Sequence, residues 1–170
     1  MQVYRKSTDR KRSFNIRNLK LETIVAELEQ SGRFSLEKQY YQHGSTSVYS
    51  HSVQVAFFSL YLSRKLKFRV NERALIRGAL LHDYFLYDWH DRDHGHSLHG
   101  FTHPGTALKN AKKDYDLDPI EENIIHRHMF PLTPVPPVCW EAWIVCLADK
   151  YCALKETFLP LWKRISVVMS

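Results

Sequence analysis

Six side chains able to ligate a metal stand out by their order: His51, His82 with Asp83 beside it, His103, His128 and Asp149. Successive members are separated by about the length of one helix and one loop. Side chains at such intervals can converge from successive helices of a bundle. Imidazole and carboxylate together suit zinc, manganese, iron, nickel or cobalt. No cysteine joins the set, which argues against a structural Cys-type zinc site. Four such ligands satisfy one divalent ion, and six suggest two, with Asp83 able to bridge. An ion held this way supplies Lewis acidity and lowers the pKa of water, to about 7 in favourable zinc sites. Taken singly, each residue reads as a hydrogen-bonded core histidine or a helix cap. One such residue on every successive helix makes coincidence the weaker account.

The elements that must carry them are helical. Ile16, Leu19, Ile24, Val25 and Leu28 recur at helical spacing from Asn15 or Arg17, and Gly32 ends that run. A short helical piece is expected over Ser35–Gln42, stopped by Gly44. Ser45 or Thr46 is expected to cap the next helix, whose apolar face is Val48, His51, Val55, Phe58 and Leu62. Asn71 caps an apolar helix to Phe85 that carries Ala79-Leu80-Leu81-His82-Asp83. Gly78 and Ala79 precede His82 on its own face and leave room for a metal ion or a packed side chain. Phe101–Lys113 reads as a helix with Pro104 in its first turn and His103 at its start. Asp118-Pro119 is a cap and first-turn signal for a helix through His128, on which Ile120, Ile124 and Ile125 mark the inner face. By helical phase His128 points inward and His126 outward. Four prolines between Pro131 and Pro137 forbid helix. Val138–Leu154 is the most apolar helix, and Asp149 is its lone inward carboxylate. No strand-like alternation is visible. The expected class is therefore all-α, with a basic arm over residues 1–14 and one domain over 15–170, its core at about 45–155.

Composition bounds the rest. The 170 residues are 44% apolar and 25% charged, ordinary for a globular domain, and the net charge of +6 suits an anionic ligand. Three cysteines, Cys139, Cys146 and Cys152, show no CxxC spacing and suit reduced thiols. No apolar run is long enough to span a bilayer, and the basic N-terminus lacks the apolar core of a signal peptide. A cytoplasmic setting without membrane contact is the expectation. Ten histidines are many for this length. Four of them, with Asp88, Asp91 and Asp93, crowd Tyr87–Gly100, which reads as a loop suited to covering a site.

The order His51, His82-Asp83, Asp149 resembles the HD superfamily of metal-dependent phosphohydrolases, whose pattern is H…HD…D on a helical core. The additional His103 and His128 are similar to its two-metal members. The nearest likeness is to bacterial members that split diadenosine tetraphosphate, through Leu98-His99-Gly100, Ile124-Ile125-His126-Arg127-His128 and Leu147-Ala148-Asp149. His99 and His103 compete for one ligand position, and the Pro-Gly-Thr-Ala continuation favours His103. The Gly-Tyr-Pro of cyclic-dinucleotide phosphodiesterases is absent, since Met129-Phe130-Pro131 follows His128.

The resemblance implies an HD-domain helical bundle that hydrolyses a phosphoester or phosphoanhydride with metal-activated water. The partner is then a small phosphorylated or nucleotide substrate, with nucleic acid less favoured. Asp83 is the expected catalytic residue, bridging two ions or accepting the proton of the water. Arg127, Lys150 and His99 are the candidate substrate contacts, the first two as cations beside ligands. The competing expectation is a degenerate HD-type module that holds nucleotide or RNA without chemistry.

Overall fold

The computed structural model describes residues 19–43, 46–88 and 99–168, with His43, His99 and residues 159–168 described by their backbone alone. The basic arm and most of the histidine-rich loop fall outside these residues. Helix α1 covers residues 19–31 and buries Leu21, Ile24 and Leu28, while Leu19 faces outward. A 3-10 turn follows at Phe34–Gln39, shorter than the expected Ser35–Gln42 piece. Helices α2 (Val48–Lys65), α3 (Glu72–Leu81), α4 (His99–Asp114), α5 (Pro119–Arg127) and α6 (Trp140–Val168) complete the bundle. Helix α2 packs on α3 and α6, and α5 packs on α3, α4 and α6. The all-α expectation holds.

A two-stranded antiparallel ladder interrupts it. Strand β1 (Tyr41–His43) pairs with β2 (Thr46–Ser47), a ladder too short to leave an alternating pattern in the sequence. It also corrects the cap of α2. Thr46 is committed to the ladder, and Ser47 is the residue whose hydroxyl accepts the free N–H of Ser50.

Local signals set the other boundaries. The Asn71 side chain accepts from Ala74 N–H at the start of α3. Helix α3 ends at Leu81 rather than Phe85, and the chain turns through residues 82–85. Asp118 and Glu121 form a reciprocal capping box on α5, with Pro119 in its first turn. Helix α4 begins two residues before the expected Phe101. Pro104 therefore lies inside it and not in its first turn, and His103 lies in the second turn. Helix α6 begins at Trp140, because Val138 N–H is already held by the Asn123 side chain. It runs well past Leu154, since no glycine follows Gly105 to supply a stop. Among the described residues no helix is long and apolar enough to cross a membrane.

Close approach of α3 and α5 depends on Gly78. A Cβ there would stand 2.5 Å from Ile124 Cδ1 and 2.9 Å from Ile124 Cβ. The space beside Gly78 thus holds a packed side chain and not an ion. Gly78→Ala should lower stability by about 1–2 kcal/mol, overpacking outweighing the gain in helix propensity. Combined with Ile124→Ala it should cost less than the sum of the two single changes, as read from urea unfolding of all four proteins.

Candidate metal centre

His82 and His128 occupy equivalent places. Each is the C-cap residue of its helix, α3 and α5 respectively. Each ring turns back on that helix, Nδ1 lying 2.8 Å from the Ala79 carbonyl in one case and 2.9 Å from the Ile125 carbonyl in the other. A carbonyl only accepts, so both rings carry hydrogen on Nδ1 and present Nε2 to the interior. Two helix C-termini, each the negative end of a macrodipole, thereby point at one space.

Asp83 follows His82 directly and is 1% exposed. The turn bearing it is anchored from α4, where the Asn110 amide donates to the Tyr84 and Phe85 carbonyls at 3.2 and 2.8 Å. The Tyr84 hydroxyl donates to Asp114 at 2.8 Å. Each oxygen of Asp83 faces its own pair of imidazoles. Oδ2 lies 3.3 Å from His82 Nε2 and 3.9 Å from His51 Nε2. Oδ1 lies 3.2 Å from His103 Nε2 and 3.4 Å from His128 Nε2. Asp149, on the buried face of α6, places Oδ1 3.0 Å from His51 Nε2 and 3.6 Å from His82 Nε2. The His103 and His128 Nε2 atoms are 2.8 Å apart.

All six sequence-derived candidates are thus brought together and buried. Two groups, His51–His82–Asp83 and Asp83–His103–His128, each gather their ligand atoms within 4.8 Å of one another. They share Asp83. The inner atoms His82 Nε2 and Asp83 Oδ1 are buried without a hydrogen-bond partner. Orphaned donor atoms in a dry cluster of imidazoles and carboxylates fit a divalent cation, whose ligands need such unprotonated lone pairs.

The electrostatics agree with that fit. Burial by itself would raise the pKa of Asp83, but the charge of His82 and the close rings of His103, His128 and His82 hold it well below the usual carboxylate range. Burial also works against a charged His51. Its hydrogen bonds with Asp149 and Glu156 prevail and lift the ring to about 9. Burial lowers His128 despite the nearby Asp83 carboxylate.

The other candidates are placed differently. His126 is exposed, as its helical phase required. Lys150 directs its ammonium to the His128 carbonyl at 2.9 Å and the Cys146 carbonyl at 3.3 Å, which ties α6 to the end of α5. Arg127 lines an outer groove of about 410 Å³ with Thr102, Thr106, Lys109 and His126, and none of the six donors lines it. The His99 side chain lies outside the described residues; among these, the ring at the second group is that of His103.

Three polar residues of the site escaped the sequence reading, two of them buried and Glu156 partly so. Gln42, on β1, donates from Nε2 to Asp83 Oδ2 at 2.5 Å. Glu37 is fully buried, both its oxygens lack partners, and burial with the nearby Asp83 pushes its pKa well up. Glu156 lies 3.0 Å from His51 Nδ1. Only Glu156 left a signal, standing two helical turns after Asp149.

A family model of the HD domain matches residues 48–154, the span that holds all six donors. The chain belongs to the HD domain family. No curated protein and no solved structure matches it. The family match covers α2 through the first half of α6, so this HD domain keeps Glu37 and Gln42 on elements ahead of the matched span.

Two outcomes are expected. Ion binding must displace the His51 proton, so apparent affinity should rise with pH and level off above about 9, as read by chelator competition. In chelator-treated protein the same raised pKa has the opposite reading. Its contribution to stability is complete below pH 6.5 and fades as pH climbs through about 9. Separately, His128→Ala should lower the metal content and His126→Ala leave it unchanged, by elemental analysis. The reverse result would place the α5 inner face wrongly.

Proposed function

We propose that this HD domain is a metal-dependent phosphohydrolase that cleaves a phosphoester or phosphoanhydride of a nucleotide, working with two divalent ions. The observation that carries the reading is the division of Asp83, one oxygen toward His51 and His82 and the other toward His103 and His128. Asp149 adds a second carboxylate beside the rings of the first set. Iron, manganese, nickel, cobalt and zinc all suit the donors. Bound there, such ions lower the pKa of water and neutralise phosphoryl oxygens.

The residues themselves do the rest. A carboxylate held far below its usual pKa is a weak proton acceptor, which suits Asp83 to hold metal through its oxygens rather than to take a proton; it would be a ligand in both sets. Gln42 fixes the orientation of that carboxylate through Oδ2. Nδ1 contacts lock His82 and His128 in the tautomer that leaves Nε2 free. A net charge of +6 draws anionic substrates. The likeness to diadenosine tetraphosphate hydrolases makes dinucleoside polyphosphates the first substrates to try.

Elemental analysis of the purified protein, then a nucleotide and phosphoester panel with each metal supplied separately, tests the reading. Two ions per chain and turnover of a phosphorylated substrate are expected. Asp83→Asn should lower kcat/KM on the order of 10³-fold, about 4 kcal/mol of transition-state stabilisation. Ion binding with no turnover across the panel would overturn it in favour of a non-catalytic nucleotide- or RNA-binding module.

A further inference from the structure

The donor rings are held from behind in two ways. His82 and His128 contact neutral carbonyls of their own helices. His51 contacts a carboxylate from another helix, its Nδ1 lying 3.0 Å from Glu156 Oε2, and the Glu156 side chain is only 6% exposed. Gln54, one turn beyond His51 on α2, donates to the other Glu156 oxygen at 3.3 Å. Glu156 follows Asp149 by two helical turns, so both share one face of α6. That face therefore offers a carboxylate to each nitrogen of one ring, Asp149 to Nε2 and Glu156 to Nδ1.

We propose that Glu156 is the positioning residue for the ion at His51, and that it makes the two ion sites unequal. This rests on the two-ion reading given above. A carboxylate accepting Nδ1–H fixes the tautomer and orientation of the ring, as a carbonyl does. It also adds negative charge behind the ligand, which makes Nε2 a stronger donor in a buried setting. The His51 set has Asp149 against both its rings as well as Asp83, whereas among the described residues the other set has Asp83 as its one carboxylate. The His51 site consequently fills first and holds its ion, and the His103–His128 site fills second and exchanges.

Charge separates this role from a purely structural one. A buried imidazole N–H needs only an acceptor, and Glu156→Gln retains one. Titration of chelator-stripped full-length protein with Mn²⁺ by calorimetry should show two steps of different affinity. Glu156→Gln should weaken the tighter step about tenfold and Glu156→Ala up to about a hundredfold, the weaker step staying in place. His128→Ala should abolish the weaker step alone. If the alanine variant fails to fold, the isosteric glutamine variant decides. Equal tight-step affinity in Glu156→Gln and wild type would overturn the proposal, as would a loss confined to the weaker step. Wild type that binds no Mn²⁺ would overturn the two-ion reading itself, an outcome visible before any variant is measured.

Discussion

A carboxylate buried at 1% exposure governs this structure. Asp83 sits where an ionised acid is costly unless cationic or hydrogen-bonding partners surround it. Four imidazoles supply that surrounding at 3.2–3.9 Å, each from a different segment of the bundle. Helix α2 contributes His51 in its first turn, α3 ends in His82, α4 turns His103 inward, and α5 ends in His128. Removing any one helix leaves the carboxylate short of a partner. The arrangement of the bundle and the state of one side chain are the same problem.

Packing sets the dimensions of that surrounding. Ile124 lies against Gly78, so the last turns of α3 and α5 approach closely and their terminal rings stand with centroids 4.9 Å apart in an edge-on contact. Adjacent residues of α6 hold both ends, Asp149 at the His51–His82 side and Lys150 on the His128 carbonyl. The Glu141 carboxylate secures the start of the same helix to Asn71 N–H at 2.7 Å. Leu86, just beyond the Asp83 turn, takes φ of 56°, a conformation costly for a residue with a side chain. The Asn110 bonds to the two preceding carbonyls hold the turn that leads into it.

Much of this was legible before any coordinates. His51, His82, His128 and Asp149 are readable because each is the odd residue in an apolar helical period, and period is what burial imposes on sequence; Asp83 and His103 are readable from their place in the order. Helical phase separated His128 from His126 for the same reason. Asp118-Pro119 and Asn71 were readable because capping chemistry is local. What failed was long-range or too short to repeat. The ladder from Tyr41 to Ser47 has too few residues for a period, and the hydrogen bond of Gln42 joins residues 41 positions apart. Glu37 sits in a 3-10 turn with nothing nearby to mark it as buried. The start of α4 is hidden because proline ordinarily marks a first turn, whereas this helix carries Pro104 internally. Glu156 was recoverable by extending the Asp149 face two turns.

Two of the donors close helices, and a helix ordinarily opens first at its ends. The last turns of α3 and α5 should therefore be the least protected part of an otherwise well-packed interior when no ion is held. An ion binding only the closed form stabilises it by an amount set by mass action, about 2.7 kcal/mol at a hundredfold excess over Kd. Backbone amides of residues 79–85 and 125–130 would then report metal supply through their hydrogen exchange, while the α2–α3 contact exchanged as before. The bundle would outlast the loss of its ions, and the site would be the first part to loosen and the first to be rebuilt.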